Sequence, residues 1–451
     1  NYMAYYRRKR DADLEAWSKS ARRKPLLIRG ARQVGKSSAV RELGKTFKHF
    51  IEVNLEKQPD IASLFTENID VRKTCQNLSA VLSKPIIPGE TLLFIDEIQV
   101  SKEAIMALRY FKEDFPELHV IAAGSLLEFA LEELPSFGVG RIRSLYLYPF
   151  SFDEFLYAQG LDLQVEAKQG ANADAPLIDA LHKKMIEQLR TFYLVGGMPA
   201  AVTEWIETKD YREVTHVHND ILDTYQDDFS KYKKRVSPSL LRQVLRSVAL
   251  QVGNKFVMSQ AVNDVHSSVV RDALHLLSLA GLIVPVTHTD GNGIPLGAEA
   301  NDKYVKYLFM DQGLMQTMLN IPASDILLSS EQDLVNKGPF SEMFAGLELV
   351  KYSDCLRKPE LYYWQHASKN GKAEVDYLMP MNGQVLPMEV KASTKGSMQS
   401  LYLFMRKRHL KYAIRTSLEN FGRFEYDDSE VENEIRHINV IPLYALSNLY
   451  R

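Results

Sequence analysis

The sequence predicts an α/β protein with more than one packed domain, and three observations lead to this prediction. Apolar strands without charged residues alternate with helical segments over the first 150 residues, which is typical of a parallel sheet between two helical layers. A glycine-rich loop joins the first of these strands to a helix. A second α/β region follows residue 313 and contains the strong hairpin signal Asn382-Gly383.

The composition is ordinary for a globular protein, with 45% hydrophobic residues, 25% charged residues and a net charge of −2. No apolar run approaches the roughly 20 residues of a membrane helix, and residues 1–10 lack the hydrophobic stretch of a secretion signal. The two cysteines, Cys75 and Cys355, make neither a disulfide framework nor a metal cluster. These features predict a cytoplasmic protein with no membrane partner, in which any nucleic-acid contact is a local basic patch.

The glycine-rich loop has the phosphate-loop pattern G-x-x-x-x-G-K-[ST], between a strand over 25–29 and a helix over 38–44. Inward-turned N–H groups and the helix N-terminus would hold the phosphates of ATP, whereas the alternative is a simple tight turn. Lys36 would reach the β- and γ-phosphates, and Ser37 would ligate Mg²⁺. The predicted nucleotide-binding residues are Gly30, Ala31, Arg32, Gln33, Val34, Gly35, Lys36, Ser37 and Ser38.

A second apolar strand, over 91–97, ends in two acids that would complete the triphosphate site. Asp96 would hold Mg²⁺ through water, and Glu97 would act as the general base that activates the attacking water. A further strand over 119–124 is followed by Ser125, which either senses the γ-phosphate or caps the next helix. A strand is also predicted over 49–54, in the same sheet.

Taken together, these motifs resemble the AAA+ superfamily, in particular the bacterial and archaeal ATPases of the AAA_14 type. The resemblance implies an Mg²⁺-dependent ATPase with an arginine finger that neutralises charge in the transition state. Arg141 and Arg143 are the candidates from position, acting in trans if the protein forms a homo-oligomer; Arg32 is a third, and a purely structural role is the alternative. The resemblance rests on the loop 30–37 with the preceding Ile-Arg, on 94–99, 122–125, 140–143 and 147–155, and on Gly196-Gly-Met-Pro199.

The middle of the chain predicts a lid of helices and then a winged-helix pattern. Helices over 177–194 and 211–232 precede the basic run 231–235, which marks a domain boundary. Beyond it, three helical segments and a hairpin predict a winged helix, whose third helix offers only Arg271 and His275 as potential positive charges. Because phosphate binding needs several such charges, a connector or protein-contact role is favoured over DNA reading. The predicted segments are helices over 238–252, 259–265 and 268–280, then strands over 282–287 and 304–309.

The Asn-Gly turn brings acids together in the last region. Counting outward from a two-residue turn places Asp376 opposite Glu389 and Glu374 opposite Lys391. Facing carboxylates repel unless a divalent cation lies between them, and two acids, Mg²⁺ and a lysine form an apparatus for phosphodiester hydrolysis. The alternative is an exposed hairpin with a Glu374–Lys391 ion pair.

This constellation resembles the PD-(D/E)XK nuclease fold, with Asp376 as the first acid, Glu389-Val-Lys391 as the second motif and Glu342 as the helix glutamate. Val375 stands where that pattern has proline. The surrounding chain resembles the DUF4143 region that accompanies AAA_14 ATPases. The resemblances imply an ATPase core over 1–150, a helical lid over 151–235, a winged-helix-like connector over 236–312 and a nuclease-like domain over 313–451, with the DUF4143 region over about 215–450.

Two functions remain open at this point. In the first, ATP hydrolysis drives or gates a nuclease-like domain that acts on nucleic acid and holds a second Mg²⁺ at Asp376 and Glu389, with the basic stretch 406–411 near phosphate. In the second, the chain is a nucleotide-dependent switch that binds DNA or a partner protein and cleaves nothing.

Overall fold

The computed structural model describes residues 4–134, 136–138, 140–232, 236–327, 338–368, 371–391, 398–431 and 434–451. No helix among them is long and apolar enough to cross a membrane. The chain divides into two compact units, called here the first and the second unit. The first unit contains Asn1–Pro149, Leu279–Gly281 and Asp354–Lys358, and the second contains Phe150–Ser278, Leu282–Ser353 and Pro359–Arg451.

The first unit is built on a five-stranded parallel sheet, in the order β2-β3-β4-β1-β5. Every residue of β3 and β4 is buried, as expected for central strands covered by helices on both faces. This confirms the predicted α/β fold. The strands are β1 Leu26–Arg29, β2 His49–Asn54, β3 Thr91–Asp96, β4 His119–Ala123 and β5 Arg143–Tyr146. The helices are α1 Arg10–Lys19, α2 Lys36–Gly44, α3 Pro59–Ala62, α4 Val71–Leu82, α5 Lys102–Asp114 and α6 Leu127–Glu133.

The second unit is built on an eight-stranded mixed sheet, in the order β12-β13-β11-β10-β9-β8-β6-β7. Its strands are β6 Ile283–Thr289, β7 Ala300–Phe309, β8 Leu361–Ser368, β9 Gly371–Met381, β10 Gln384–Val390, β11 Tyr412–Ser417, β12 Gly422–Asp427 and β13 Ile435–Pro442. Its helices are α7 Phe152–Ala158, α8 Asp162–Gly170, α9 Asp179–Val195, α10 Pro199–Thr208, α11 Tyr211–Asp228, α12 Pro238–Leu250, α13 Ser267–Leu279, α14 Gln312–Met318, α15 Ala323–Leu327, α16 Gly338–Tyr352 and α17 Gln399–Lys407.

The region predicted as a winged helix differs from that pattern in two respects. In place of a second helix over 259–265, the structure has one short turn, Met258–Gln260, and the left-handed backbone of Asp264 (φ 59°) interrupts any continuation. The hairpin strands β6 and β7 also belong to the same sheet as the C-terminal strands, because β6 pairs in parallel with β8. Residues 233–235 of the basic run lie outside the described residues.

The Asn-Gly turn forms as predicted. Asn382 (φ 50°) and Gly383 (φ 76°) both adopt the positive φ that a two-residue hairpin turn requires. The pairing runs from Met381↔Gln384 to Tyr377↔Met388. Asp376 comes next on β9, and its Oδ2 accepts a hydrogen bond from the backbone N–H of Val390 at 2.8 Å.

Asp311 explains why two glycines follow α9. Its Oδ1 accepts a hydrogen bond from the N–H of Gly197 at 2.6 Å, while its Oδ2 accepts one from Leu314 at 3.1 Å and so caps α14. A Cβ on Gly196, which has φ 70°, would lie 2.2 Å from Asp311 Oδ2. The Gly-Gly-Met-Pro motif therefore allows α9, α10 and α14 to pack closely around Asp311.

Candidate functional site

The phosphate loop has the backbone conformation that a phosphate cradle requires. Gly30 (φ 145°), Gln33 (φ 64°) and Gly35 (φ 96°) all have positive φ. A Cβ on Gly30 would lie 2.2 Å from the carbonyl oxygen of Leu147, so no larger residue fits there. The loop enters α2 directly at Lys36, which places the helix N-terminus at the site.

Lys36 lies over the loop and is only 7% exposed. Its Nζ donates hydrogen bonds to the carbonyl oxygens of Gly30 at 2.8 Å and Ala31 at 2.6 Å. Burial lowers the pKa of Lys36 to about 8, although the negative charges of Glu97 and Asp96 oppose this shift. The ammonium is thus held by neutral carbonyls and retains its charge for an anionic ligand.

Ser37 and Asp96, the predicted Mg²⁺ ligands, lie in contact. Ser37 Oγ donates to Asp96 Oδ2 at 2.9 Å, and Asp96 Oδ1 accepts the N–H of Glu97 at 2.9 Å. Burial raises the pKa of Asp96, and the hydrogen bond from Ser37 partly opposes that rise. A hydroxyl beside a carboxylate is a donor set that suits Mg²⁺, so the residues present fit this ion.

Glu97 directly follows β3, and its carboxylate is held in place from two sides. Its Oε2 accepts hydrogen bonds from the N–H (3.2 Å) and Oγ (3.0 Å) of Ser125 and from Nε2 of Gln99 (2.5 Å). Leu126 occupies the N-cap position of α6, so Ser125 contacts the predicted base and does not cap that helix. Sequence reasoning missed the role of Gln99. Its side chain packs against Gly124, where a Cβ would lie 2.0 Å from Gln99 Oε1.

The predicted arginine fingers lie away from the phosphate loop of their own chain. Arg143 opens β5 opposite Leu26 of β1, about 10 Å along the strand from the end where Gly30 lies. Arg141 contacts Glu113, near the C-terminus of α5. Arg32 lies inside the loop, where its charge helps to lower the pKa of Lys36. A finger role for Arg141 or Arg143 therefore requires a second copy of the chain.

Arg29 is a further charged residue at the loop, and sequence reasoning did not select it. Its Nε donates to Glu128 Oε1 at 2.6 Å, and its guanidinium lies 5.0 Å from the centroid of the Tyr146 ring. The contact joins the C-terminal ends of β1 and β5 to α6. The available signal was an arginine closing an otherwise apolar strand immediately before Gly30.

The second unit contains a group of acids and lysines that we call the acid–lysine cluster. Three of its acids have carboxylate oxygens that all lie within 4.8 Å of one another. The cluster unites β7, α16, β9, β10 and the residue directly after β10, so it draws on residues from both the predicted connector and the nuclease-like domain. Its members are Lys306, Glu342, Glu374, Asp376, Glu389 and Lys391.

Lys306 lies at the centre of the acid–lysine cluster and is 1% exposed. Its Nζ donates to Glu342 Oε1 at 2.7 Å and also contacts Glu374, while the ring centroid of Tyr363 lies 4.8 Å away. Burial lowers the pKa of Lys306, but Glu342, Glu374 and Asp376 outweigh it and raise the pKa well above the usual value. The ammonium therefore keeps its charge and is held by the carboxyl groups of Glu342 and Glu374.

The acids of the cluster respond unequally to this environment. Burial is the main cause that raises the pKa of Glu342 and that of Glu389 to about 8 each, and it also raises the pKa of Asp376. For Glu374, burial raises the pKa, but the combined effect of Lys306 and Lys372 lowers it below the usual value. The lysines thus fix the negative charge on Glu374.

The alternative interpretation of the hairpin, an ion pair between Glu374 and Lys391, is wrong because both residues have other partners. Lys391 Nζ contacts Glu389 Oε1 at 2.6 Å, and Glu374 contacts Lys372 at 2.7 Å as well as Lys306. The reason is that a lysine from β7 reaches Glu374, which no count along the hairpin could reveal. Glu389 Oε2 is buried and has no hydrogen-bond partner among the described residues.

The basic stretch 406–411 is partly committed to contacts within the second unit. Arg406 pairs with Asp428 at 2.8 Å and with Glu430 at 2.6 Å, and Arg408 donates to the carbonyl oxygen of Asp290 at 2.9 Å. Arg406 thus binds acids between β12 and β13, and Arg408 binds the backbone just after β6, which weakens the case for a phosphate-binding patch.

Three family signatures match the sequence. Residues 22–156 match the family described as AAA domain (AAA_14). Residues 337–445 match a domain of unknown function, DUF4143, and residues 186–325 match another, DUF8612. No curated protein matches the sequence.

Solved structures similar to this chain share little sequence with it. The Walker-type ATPase PABY2304 of Pyrococcus abyssi is 17% identical over 70% of this chain and 96% of its own, with a TM-score of 0.44. The Orc1 protein of Aeropyrum pernix, in complex with DNA, is 12% identical over 71% and 95%, with a TM-score of 0.32. Unliganded Pif1 from Bacteroides sp. is 13% identical over 38% and 53%, with a TM-score of 0.22.

Proposed function

Because the chain belongs to the AAA-type ATPases that carry an AAA_14 domain and a DUF4143 region, we propose that its first unit is an Mg²⁺-dependent ATPase site built from Lys36, Ser37, Asp96 and Glu97. The membership confirms the resemblance predicted from the motifs. One observation carries the proposal: Ser37 at the start of α2 and Asp96 at the end of β3 lie 2.9 Å apart, beside the cradle formed by the loop.

Each residue has a distinct role in this proposal. Loop N–H groups and Lys36 bind the β- and γ-phosphates, since the lysine can exchange its carbonyl partners for phosphate oxygens. Ser37 and Asp96 would hold Mg²⁺, which when bound neutralises charge on the phosphates. Glu97, oriented by Ser125 and Gln99, accepts a proton from the attacking water.

The test compares Lys36→Ala with Lys45→Ala in a nucleotide titration of the full chain. Lys45 lies just beyond the other end of α2, is exposed and pairs with Glu42, so its removal leaves the loop intact. We expect Lys36→Ala to lose ATP binding and Lys45→Ala to bind as the wild type does. Unchanged ATP affinity in a folded Lys36→Ala protein would contradict the assignment.

For the arginine finger, we propose that a second copy of the chain supplies Arg141 or Arg143, since both lie away from their own loop. Mixing Glu97→Gln chains with Arg143→Ala chains tests this. If each inactive chain complements the other at a shared site, turnover rises above the sum of the separate proteins. No rise with either arginine variant, in an assembly shown to be mixed by co-purification of differently tagged chains, would exclude a finger in trans.

A second candidate function belongs to the second unit. Glu389 Oε2 is buried and has no hydrogen-bond partner in the described part of the chain, and burial, followed by the negative charge of Asp376, raises the pKa of Glu389. This favours a cation-assisted phosphodiesterase acting on nucleic acid, with Lys391 next to Glu389. Without cleavage, the same unit acts as a nucleotide-controlled surface for DNA or a protein partner.

Incubation with linear, circular and single-stranded DNA in Mg²⁺ or Mn²⁺ separates the two outcomes. A phosphodiesterase loses cleavage in Asp376→Ala and Glu389→Ala but not in Asp427→Ala, which alters an exposed acid of β12. Absence of cleavage by the wild type in every condition would leave the switch. A pull-down with the Glu97→Gln chain and ATP would then identify the partner.

A further inference from the structure

Lys306 occupies the position that a cation would take among the acids of the second unit. Its Nζ lies 2.7 Å from Glu342 Oε1 and also contacts Glu374 Oε1. These two glutamates and Asp376 are the three residues whose oxygens converge closely enough to bind one metal ion. Two of the three potential metal ligands therefore already bind an ammonium that belongs to the chain itself.

The position of Lys306 is fixed on several sides. Its backbone pairs with Val286 of β6, and on the other side it forms a bridge with Lys255. The ammonium also faces the ring of Tyr363, whose centroid is 4.8 Å away. A lysine held in this way cannot leave the carboxylates without depriving their buried charge of its counter-charge, which is a large cost.

We propose that Lys306 is a built-in replacement for a metal ion, so that Glu342, Glu374 and Asp376 do not together hold one divalent cation while the lysine is present. A divalent ion at the same oxygens would lie next to the ammonium, and like charges at such a distance repel strongly in a buried site. The lysine stem also fills the space that a hydrated ion would need, since Lys306 is almost fully buried. Loss of this side chain would turn the three carboxylates into a metal site.

Glu389 Oε2, which has no hydrogen-bond partner in the described ranges, limits the proposal to one side of the cluster. Glu389 pairs with Lys391 through Oε1 only, and Lys306 makes no hydrogen bond to Glu389 among the described residues. Cation binding that is lost when Glu374 is changed therefore identifies the site that Lys306 occupies. Dependence on Glu389 instead would report the phosphodiesterase candidate.

The experiment is an electron paramagnetic resonance titration with Mn²⁺ alone. It uses the full chain without nucleotide, in an Asp96→Asn background that removes the carboxylate among the proposed cation ligands of the first unit. In this background we expect Glu374→Gln to leave Mn²⁺ binding unchanged, because the acids around Lys306 do not together hold Mn²⁺. Adding Lys306→Met should create a new site, at which Mn²⁺ binds at least about tenfold more tightly than to the protein that keeps Lys306. Adding Glu374→Gln to Lys306→Met should remove this new site.

Lys303→Met is the matched control, because Lys303 is an exposed lysine of the same strand and should yield no new Mn²⁺ site. Glu374-dependent Mn²⁺ binding with Lys306 intact would overturn the proposal. So would a folded Lys306→Met protein that gains no site.

If Lys306→Met folds poorly, its thermal melting with and without Mn²⁺ replaces the titration. A rise in melting temperature with Mn²⁺ that Glu374→Gln removes would support the proposal, and no rise would overturn it. The Mn²⁺ result is independent of the proposed ATPase. ATP turnover is measured separately, in the wild type and in Lys306→Met chains that keep Asp96, and it reports on the first unit alone.

Discussion

Lys36 of the first unit and Lys306 of the second are both buried near carboxylates, but the two lysines have opposite partners. Lys36 of the first unit donates to two backbone carbonyls, and burial lowers its pKa to about 8. Lys306 of the second unit contacts Glu342 and Glu374, and these charges raise its pKa. The first ammonium has weak, neutral partners, whereas the second has strong, charged ones.

The difference bears on the roles proposed for the two lysines, phosphate binding for Lys36 and a structural role for Lys306. A phosphate can displace carbonyl oxygens from a lysine at little cost, because the exchange replaces neutral acceptors with charged ones. It cannot displace a pair of carboxylates, because these would then be left buried without a counter-charge. Burial and proximity to acids are therefore not sufficient signs of a functional lysine.

The largest effect is expected for stability in the second unit. Lys306→Met should lower the free energy of unfolding by about 3–5 kcal/mol, because Glu342 and Glu374 lose their shared counter-charge. Urea denaturation measures this, and Lys303→Met should change stability by no more than about 0.5 kcal/mol. Equal stability of the two variants would show that the charged partners of Lys306 add no stability, and the contrast drawn with Lys36 would be lost.

The next effect concerns catalysis in the first unit. Glu97→Gln should lower kcat for ATP hydrolysis by about 10²–10³-fold, because the amide cannot accept the proton of the attacking water. Its ATP affinity should stay within about threefold of the wild type, because Lys36 and the loop are unchanged. Phosphate release and a binding titration measure the two quantities, with Glu90→Gln, an exposed acid that pairs with Lys48, as the control. Wild-type turnover in Glu97→Gln would rule out this base.

The pH dependence of ATP binding tests whether Lys36 is an available cation. Phosphate stabilises the charged ammonium, so the pKa of Lys36 in the complex must exceed the value of about 8 in the free protein. Between these two values ATP binding takes up a proton, and the affinity should fall by up to about tenfold per pH unit as the pH rises. Isothermal titration at pH 7 to 9.5 measures this fall. Lys36→Met should bind weakly without the same dependence, and a flat wild-type profile would disprove the assignment.

The smallest effect is expected at Ser125. Ser125→Ala should slow hydrolysis about fivefold, close to 1 kcal/mol, because Glu97 keeps the N–H of residue 125 and the amide of Gln99 but loses one hydroxyl donor. Steady-state turnover with Ser63→Ala, an exposed serine of the same unit, provides the comparison. A loss as large as that in Glu97→Gln would instead indicate direct contact of Ser125 with phosphate.

The sequence by itself determined the first unit's candidate site, because its parts are local. Strand, loop and helix follow one another over 25–44, and the acids follow directly on a buried strand. In a parallel sheet such strand ends meet at one edge, so the contact of Ser37 with Asp96 was predictable. The turn at Asn382-Gly383 was equally local, since its type depends on two residues.

Only the tertiary structure decided what surrounds the acids of the second unit. Lys306 precedes Glu342 by 36 residues and Glu374 by 68, and the sheet joins them through a hairpin that the sequence had placed in a separate domain. A charge in an apolar strand such as 304–309 shows that a partner exists, but not which one. The partner is set by strand order and by helix packing over long separations, and these depend on the burial of the whole core.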